Sequence, residues 1–241
     1  MHKITSSFAV LASVLLTAAT AFAQASGPQT TASLSVGGQV TTRTFSTHTE
    51  FPDFNETATV DANQTAGRGI VVDGNVRRNL WGNFGVGVGV WYEHDKGSAA
   101  ASASIPDPLL VGKFTTVSAT ASDLAENLVG INLQIFWMRP IRDRYTFVVA
   151  LGPSIIHASQ NIGTILVGTN TLAQNAAPGT VQQSATTAKA GNVGVELNRT
   201  LNDKYQAGVF VRYAGGEVDL PAAPKLKVGG VQVGGAIRVR F

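Results

Sequence analysis

Residues that could support catalysis are few and scattered in this sequence. Histidines occur at positions 2, 48, 94 and 157, and only His157 has a nucleophile beside it, in the segment His157-Ala158-Ser159. A histidine next to a serine can act as the general base of an acyl transfer. The sequence has no HExxH motif, no glycine-rich nucleotide loop and no cysteine. We therefore expect no enzyme, no metal site and no cofactor, and we expect His157 to be an interfacial or loop-base residue.

Charged residues of both signs form a second group of candidates. They fall on the polar side of segments in which apolar and polar residues alternate, and they are Arg43, Asp73, Arg77, Glu93, Glu126, Glu196 and Arg212. Buried charges must be paired and hydrogen-bonded to offset the cost of their desolvation. If the segments enclose a common interior, we expect these side chains to form an ion-pair network inside it.

The alternating segments have the period of β-strands. Eight of them cover residues 33–46, 67–78, 83–93, 123–138, 145–158, 187–200, 204–216 and 226–241. The last is the clearest, because its odd-numbered positions from Val231 to Phe241 are apolar apart from Gly235. Its even-numbered positions include Gln232, Arg238 and Arg240. The pattern predicts an all-β fold.

Short and long connections alternate between these segments. Short turns lie at residues 79–82, 140–144 and 201–203, whereas the connections 47–66, 94–122 and 159–186 are long and 217–225 is intermediate. An up-and-down membrane barrel has this arrangement, with short periplasmic turns and long extracellular loops. We predict an eight-stranded antiparallel up-and-down transmembrane β-barrel.

Aromatic residues cluster near both ends of the predicted strands, as they do at membrane interfaces. The periplasmic group is Trp81, Phe84, Trp137, Tyr145, Phe147, Tyr205 and Phe241, and the outer group is Phe45, Trp91, Tyr92 and Tyr213. Basic residues also gather toward the periplasmic ends, where we expect them either to meet anionic phospholipid headgroups or to form a solvated rim. They are Arg77, Arg78, Arg139, Arg142, Arg144, Arg199, Lys204, Arg238 and Arg240.

The N-terminal residues have the features of a secretory signal peptide. Lys3 precedes an apolar stretch, and Ala21-Phe22-Ala23 is a small-x-small cleavage site. We expect a signal peptide at residues 1–23, a short extension at 24–32 and a barrel domain at 33–241. After residue 23 no run of eighteen apolar residues predicts a helical span. The net charge of +3 is too small to indicate nucleic-acid binding.

With these features the sequence resembles the OmpA-like and OmpX-like family of small outer-membrane β-barrels. The sharpest local likeness is the C-terminal segment VQVGGAIRVRF, in which Phe241, Val239, Ile237 and Val233 match the family's assembly signal and Gly235 departs from it. The resemblance implies residence in the outer membrane among its lipids, and periplasmic chaperones and the barrel-assembly machinery as partners in biogenesis. No peptidoglycan-binding domain follows strand eight in the sequence, so we expect a stand-alone, monomeric barrel.

Eight strands enclose an interior just wide enough for side chains to fill. We therefore expect a lumen plugged by the ion-pair network, and a structural, surface-interaction or narrow-pore role in which the loops contact a surface ligand. A small porin-like channel for ions or small solutes is an alternative, because glycines such as Gly85, Gly87 and Gly89 would leave room for water.

Two further alternatives belong to other classes of protein. A soluble lipocalin-like carrier would turn its apolar face inward, and the terminal Phe241, the aromatic girdles and the lack of disulfides argue against it. Some lipid A deacylases are eight-stranded barrels with a His-x-Ser pair similar to that at His157 and with a nearby glutamate. Here Glu196 falls on the interior side of its segment, so the pair lacks that partner.

Overall fold

The computed structural model describes residues 29–53, 55–66, 68–167, 176–220 and 223–241, with the side chains of 160–184 and 218–226 left aside. The predicted signal peptide at 1–23 and most of the predicted extension lie outside the described residues. The strands are β1 (Thr30–Gln39), β2 (Arg43–Asp53), β3 (Glu56–Ala66), β4 (Ile70–Trp81), β5 (Phe84–Pro106), β6 (Phe114–Arg142), β7 (Tyr145–Val167), β8 (Ala176–Thr200), β9 (Tyr205–Leu220) and β10 (Ala223–Arg240). Within the described residues, no helix is long and apolar enough to cross a membrane.

Eight of these strands close into a ring. Going around it, β1 is followed by β4, β5, β6, β7, β8, β9 and β10, and β10 pairs again with β1. Every pairing is antiparallel, and the seam between the first and last strands runs in register from Thr31–Arg240 to Gln39–Gln232. The predicted fold class, an eight-stranded antiparallel up-and-down barrel, is confirmed.

The barrel is apolar outside and polar inside. Outward side chains such as Leu133, Ile135 and Val209 are 56%, 60% and 61% exposed, whereas Asn132 and Gln232 face inward and are fully buried. So continuous an apolar belt would be unfavourable in water, but it matches the hydrocarbon core of a bilayer. The arrangement is that of a transmembrane barrel and the reverse of a lipocalin-like carrier.

Short turns close the barrel at one end, as predicted. The β4–β5 turn uses Gly82 at a positive φ of 54°, and in the β8–β9 turn the side-chain oxygen of Asn202 accepts hydrogen bonds from the amides of Lys204 and Tyr205. Both ends of the described chain meet at this end, where the amide of Phe241 donates to the carbonyl of Thr30 at 2.9 Å.

The predicted aromatic girdles are correct at the short-turn end and partly wrong at the other. Residues exposed at the short-turn end include Trp81, Phe84, Tyr145, Tyr205 and Phe241. At the opposite end Trp91 is fully buried in the lumen, and Phe45 packs against the same interior cluster. Both residues lie on the inward-facing side of their strands. This side, and not their nearness to a strand end, determines their environment.

Strands run much further from the short-turn end than the alternation predicts. β5 ends at Pro106 rather than at residue 93, β6 begins at Phe114 rather than at 123, and β7 and β8 extend similarly. Residues 47–66, predicted as a loop, form the β2–β3 hairpin, which pairs with the outer part of β5. These extensions are rich in Ala, Ser and Thr, so their sequence does not alternate between apolar and polar residues. Their backbones nevertheless pair as strands.

The first predicted strand, 33–46, is in fact two strands. β1 ends at Gln39, and β2 begins at Arg43 and leaves the ring to pair with β3. A second irregularity separates barrel from extension in β6, where Asp123 has a positive φ of 59° and the β5–β6 register shifts between Gly97 and Ala99. Above this bulge β2, β3, β5 and β6 form a four-stranded sheet on top of the barrel.

Gly130 provides a test of how tightly the lumen is packed. A Cβ at this position would overlap the indole ring of the buried Trp91. We expect Gly130→Ala to destabilise the barrel by about 1–3 kcal/mol through overpacking. The matched control is Gly235→Ala, whose Cβ would meet nothing nearer than 3.7 Å and which should change stability by less than about 0.5 kcal/mol. Urea midpoints of the refolded, heat-modifiable form would measure both, and equal midpoints would contradict the packing.

Candidate functional site

The interior of the barrel is the candidate functional site. All of the charged residues predicted to lie there face inward and are buried or nearly so: Arg43, Asp73, Arg77, Glu93, Glu126, Glu196 and Arg212. The neutral polar residues Gln39, Asn75, Asn132, Gln134, Asn192 and Asn198 are buried with them. The structure divides the charges into three groups at successive heights along the lumen.

The group nearest the short turns is centred on Glu196. Its carboxylate accepts two hydrogen bonds from Arg77, at 2.6 and 2.7 Å, and also binds the guanidinium of Arg238. A planar guanidinium matches a carboxylate in this two-point geometry. The expectation that Arg77 and Arg238 meet lipid headgroups at the rim is wrong, because both side chains point inward from their strands onto Glu196.

The middle group joins β4, β9 and β10 through Arg212. Its guanidinium binds Asp73 at 2.7 Å and donates two hydrogen bonds to the side-chain oxygen of Gln232, at 3.0 and 2.7 Å. Gln232 in turn donates to Glu93 at 3.2 Å, and Ser35 donates to Asp73 at 3.0 Å. The middle group is therefore linked by hydrogen bonds to the outer one.

The outer group places three carboxylates around one guanidinium. Arg43 contacts Glu126 at 2.9 Å, Asp95 at 3.1 Å and Glu93 at 3.4 Å, and it also donates to the carbonyl of Gly229 at 3.2 Å. Asp95 was not predicted, because the alternating segment was taken to end at residue 93 while β5 continues with the same inward parity. Since Arg43 starts β2, its contacts fasten the outer hairpin to the barrel.

A chain of neutral side chains crosses the lumen near the middle group. Asn132 accepts hydrogen bonds from Trp91 at 3.2 Å and from Ser154 at 2.8 Å. Asn192 donates to Ser154 at 2.8 Å and accepts from Gln134 at 2.9 Å. These contacts link the four neighbouring strands β5, β6, β7 and β8 through their inward side chains.

Two apolar clusters also lie among the buried residues. The larger contains Trp91, Leu128 and Ile156, and the smaller contains Phe136 and Val148, with Met138 packed against it. These aromatic residues were not predicted to lie in the lumen, because only polar side chains on the inward face were considered. Glycines on the neighbouring strands make room for the rings. A side chain at Gly85 would overlap Phe136, as one at Gly130 would overlap Trp91.

Two cavities lie inside the described part of the barrel. A cavity of about 20 Å³ lies between Asp73, Arg77 and Glu196, and one of about 170 Å³ lies toward the short-turn end, beside Phe136 and Asn198. The first is room for about one water molecule. Arg77 and Arg238 line both cavities, so these two side chains stand between them.

The residues considered for catalysis are not brought together. His157 is exposed on the outer wall, where its Nδ1 lies 3.1 Å from the hydroxyl of Thr187. Glu196 lies on the opposite side of the wall in its ion pairs with arginine. In the part of the chain that the structure describes, no group of three or more acidic or histidine side chains could hold a metal ion.

One histidine outside the membrane-spanning part has an acidic setting. On the β2–β3 hairpin, Nδ1 of His48 is 2.6 Å from Asp61 and Nε2 is 3.2 Å from Glu50. Hydrogen bonding to Asp61, with a smaller effect of Glu50, raises the pKa of His48 above its ordinary value of 6.5. The ring and both carboxylates are exposed to solvent.

Comparison with known proteins gives likeness of fold only. No family model matches the chain, and no curated relative matches it. Among solved structures, it is similar to Neisserial surface protein A, at 10% identity and a TM-score of 0.48 over 88% of this chain and 97% of the other. It is also similar to the attachment invasion locus protein Ail of Yersinia pestis, at 9% identity and 0.40 over 89% and 99%, and to the outer membrane protein OprG from Pseudomonas aeruginosa, at 10% and 0.42 over 89% and 96%.

Two substitutions in the Glu196 group test whether charge pairing stabilises it, because one removes the carboxylate and the other removes one of its two arginines. Glu196→Gln leaves Arg77 and Arg238 buried without their carboxylate, and we expect it to lower stability by about 3–5 kcal/mol. Arg238→Gln leaves Arg77 paired one-to-one with Glu196, so we expect a clearly smaller loss. Urea unfolding of the barrel in the same detergent measures both, and an equal effect of the two substitutions would show that charge pairing does not hold this group together.

The setting of His48 predicts a pH-dependent outer hairpin. Because the pKa of His48 is raised in the folded state, the stabilisation is fully present below pH 6.5 and is lost as the pH rises through the folded-state pKa. An NMR titration of His48 should give a pKa above 6.5, and Asp61→Asn should move that pKa back toward 6.5. Proteolysis of the hairpin should accelerate at alkaline pH in the native chain and lose this pH dependence in His48→Gln. A pKa at or below 6.5 would contradict the contact.

Proposed function

We propose that this chain is an integral outer-membrane barrel whose lumen is closed to solutes and whose role is structural or surface-interacting. The observation that carries the proposal is the filling of the interior. Three ion-pair groups and two apolar clusters occupy successive heights of the lumen, and the cavities between them hold about 20 and 170 Å³. A hydrated ion would need a continuous path that these side chains interrupt.

The energetics of the lumen charges support a fixed plug. At each height arginine and carboxylate groups are in contact, and removing a partner from such a buried contact is strongly unfavourable. A solute that displaced Arg77 from Glu196, or Arg212 from Asp73, would have to replace its short charge-assisted hydrogen bonds. The small porin-like alternative therefore requires concerted opening of several groups.

The outer sheet supports a surface-interacting role. β5 and β6 rise beyond the barrel and end in a hairpin tip where Leu109 and Val111 are 73% and 95% exposed, with Phe114 nearby. Such a tip offers apolar contact area far from the short turns. A surface ligand for the outer strands is part of the proposal.

The route to the membrane follows from the two ends of the sequence. We propose that residues 1–23 are a signal peptide removed on export, that 24–32 is a short extension, and that 33–241 is the barrel domain. The proposed assembly signal, Phe241, Val239, Ile237 and Val233, lies on the outward parity of β10, and Phe241 and Ile237 are well exposed. Periplasmic chaperones and the barrel-assembly machinery would read this strand. We propose that the mature barrel is monomeric and has no catalytic activity.

Planar-bilayer recording tests the closed lumen. We expect the native barrel to give no steady conductance, because Trp91 and Phe136 fill the lumen between the ion-pair groups. The double substitution Trp91→Ala with Phe136→Ala should introduce ion-conducting openings. Heat-modifiable gel migration would establish that both proteins are folded before recording. Steady, large-conductance openings from the native protein would overturn the proposal in favour of the porin-like alternative.

A further inference from the structure

The outer wall of the barrel carries a concave groove that the apolar belt alone does not require. It crosses β4, β5, β6 and β7 and has a volume of about 540 Å³, within the range of small-molecule sites. Its apolar lining comes from Val76, Val86, Val88, Leu133, Ile135, Leu151 and Pro153. Val76 is only 5% exposed although its parity is outward, which shows how deeply the wall is recessed here.

A local break in the sheet lies at one wall of this groove. The β6–β7 pairing passes from Asn132–Ser154 to Ile135–Leu151 without a change of register and skips the residues between. Pro153 has no amide hydrogen to donate in a ladder. From the lumen, the side-chain amide of Asn192 donates to the carbonyls of Gly152 at 2.9 Å and Pro153 at 3.2 Å. The break is thus held in a fixed shape from inside, and the groove is a built feature of the wall.

The groove contains one charge. Arg78 lines it, three residues before the exposed rim residue Trp81. Its Nε is buried and has no hydrogen-bond partner among the described residues, and none of the groove's lining residues, all of which are described, is acidic. An unpaired cation on a hydrocarbon-facing wall is costly. An anionic group at the membrane interface would satisfy it, and a long arginine side chain reaches such a group readily.

We infer that the groove binds one anionic phospholipid, with an acyl chain along the apolar lining and the phosphate on Arg78. The inference rests on the proposed membrane location and adds a specific ligand to it. Charge complementarity selects the headgroup, because a guanidinium binds phosphate through paired N–H donors. The concave apolar lining selects the hydrocarbon chain, so the two parts of the ligand are recognised by different residues.

Native mass spectrometry of the detergent-purified full chain can test the headgroup and the chain separately. The barrel is titrated with dimyristoyl phosphatidylglycerol or with dimyristoyl phosphatidylcholine, which share acyl chains but differ in net charge. We expect one tightly bound phosphatidylglycerol and weaker retention of phosphatidylcholine. Arg78→Gln should weaken the binding of phosphatidylglycerol about tenfold, as expected for the loss of a charge-assisted hydrogen bond. It should also abolish the preference for phosphatidylglycerol over phosphatidylcholine.

Filling the groove tests the acyl-chain part. Val88→Trp places a large side chain on the groove lining and should reduce retention of both lipids. The matched controls are Arg139→Gln and Val209→Trp, which change an exposed rim arginine and an outward valine outside the groove, and both should leave retention unchanged. Equal retention by the native chain, Arg78→Gln and Val88→Trp would mean adventitious annular lipid only and would overturn the inference.

The same samples distinguish failure of this inference from failure of the proposed function. Heat-modifiable migration of each protein reports whether the barrel folds in a membrane-like environment, independently of any bound lipid. A folded barrel that does not selectively retain phosphatidylglycerol would overturn the groove site alone. A chain that remains water-soluble and folded without detergent would sink the membrane assignment and the groove site together.

Discussion

Hydrocarbon offers no hydrogen-bond partner to a peptide group, and this constraint shapes the whole molecule. A membrane-spanning sheet must satisfy every backbone donor and acceptor within itself, which only a closed ring achieves. Here the ring is completed by the pairing of β1 with β10. Where Pro153 lacks an amide hydrogen, the side chain of Asn192 donates from the lumen to the carbonyls of Gly152 and Pro153.

Closing a ring of only eight strands imposes a second constraint, on volume. The interior must accommodate an inward side chain from every second residue, and glycines face the largest of them. Gly85 lies against Phe136, Gly87 against Arg77 and Gly130 against Trp91. Charges confined in this space need partners of opposite sign, so the narrowness of the lumen also dictates its chemistry. Contacts between arginine and carboxylate groups are thus the natural chemistry of so small an interior.

The alternation of side chains, together with the alternation of short and long connections, was enough to predict the eight strands of the ring, their up-and-down topology and which charges point inward. It worked best where contrast was strong, as from Val231 to Phe241. It failed along the Ala- and Ser-rich outer strands, since hydrogen bonding to a neighbour leaves no trace in side-chain polarity. Arg238 and Trp91 show another limit. Their place in the alternation indicated the inward face, but their position near strand ends suggested a membrane interface. The recess beside Arg78 depends on backbone geometry at Gly152 and Pro153, which no periodicity encodes.

The seam between the first and last strands also governs how such a chain can reach its native state. Thr31 pairs with Arg240, so contacts between the two extremes of the described chain complete the structure. Neighbouring hairpins can form early from local contacts, but closure entropy delays a pairing over so long a separation. Until β10 arrives, β1 and β9 each present a row of unsatisfied peptide groups. Synthesis halted before the last strand would therefore leave an open, adhesive sheet instead of a slightly smaller barrel.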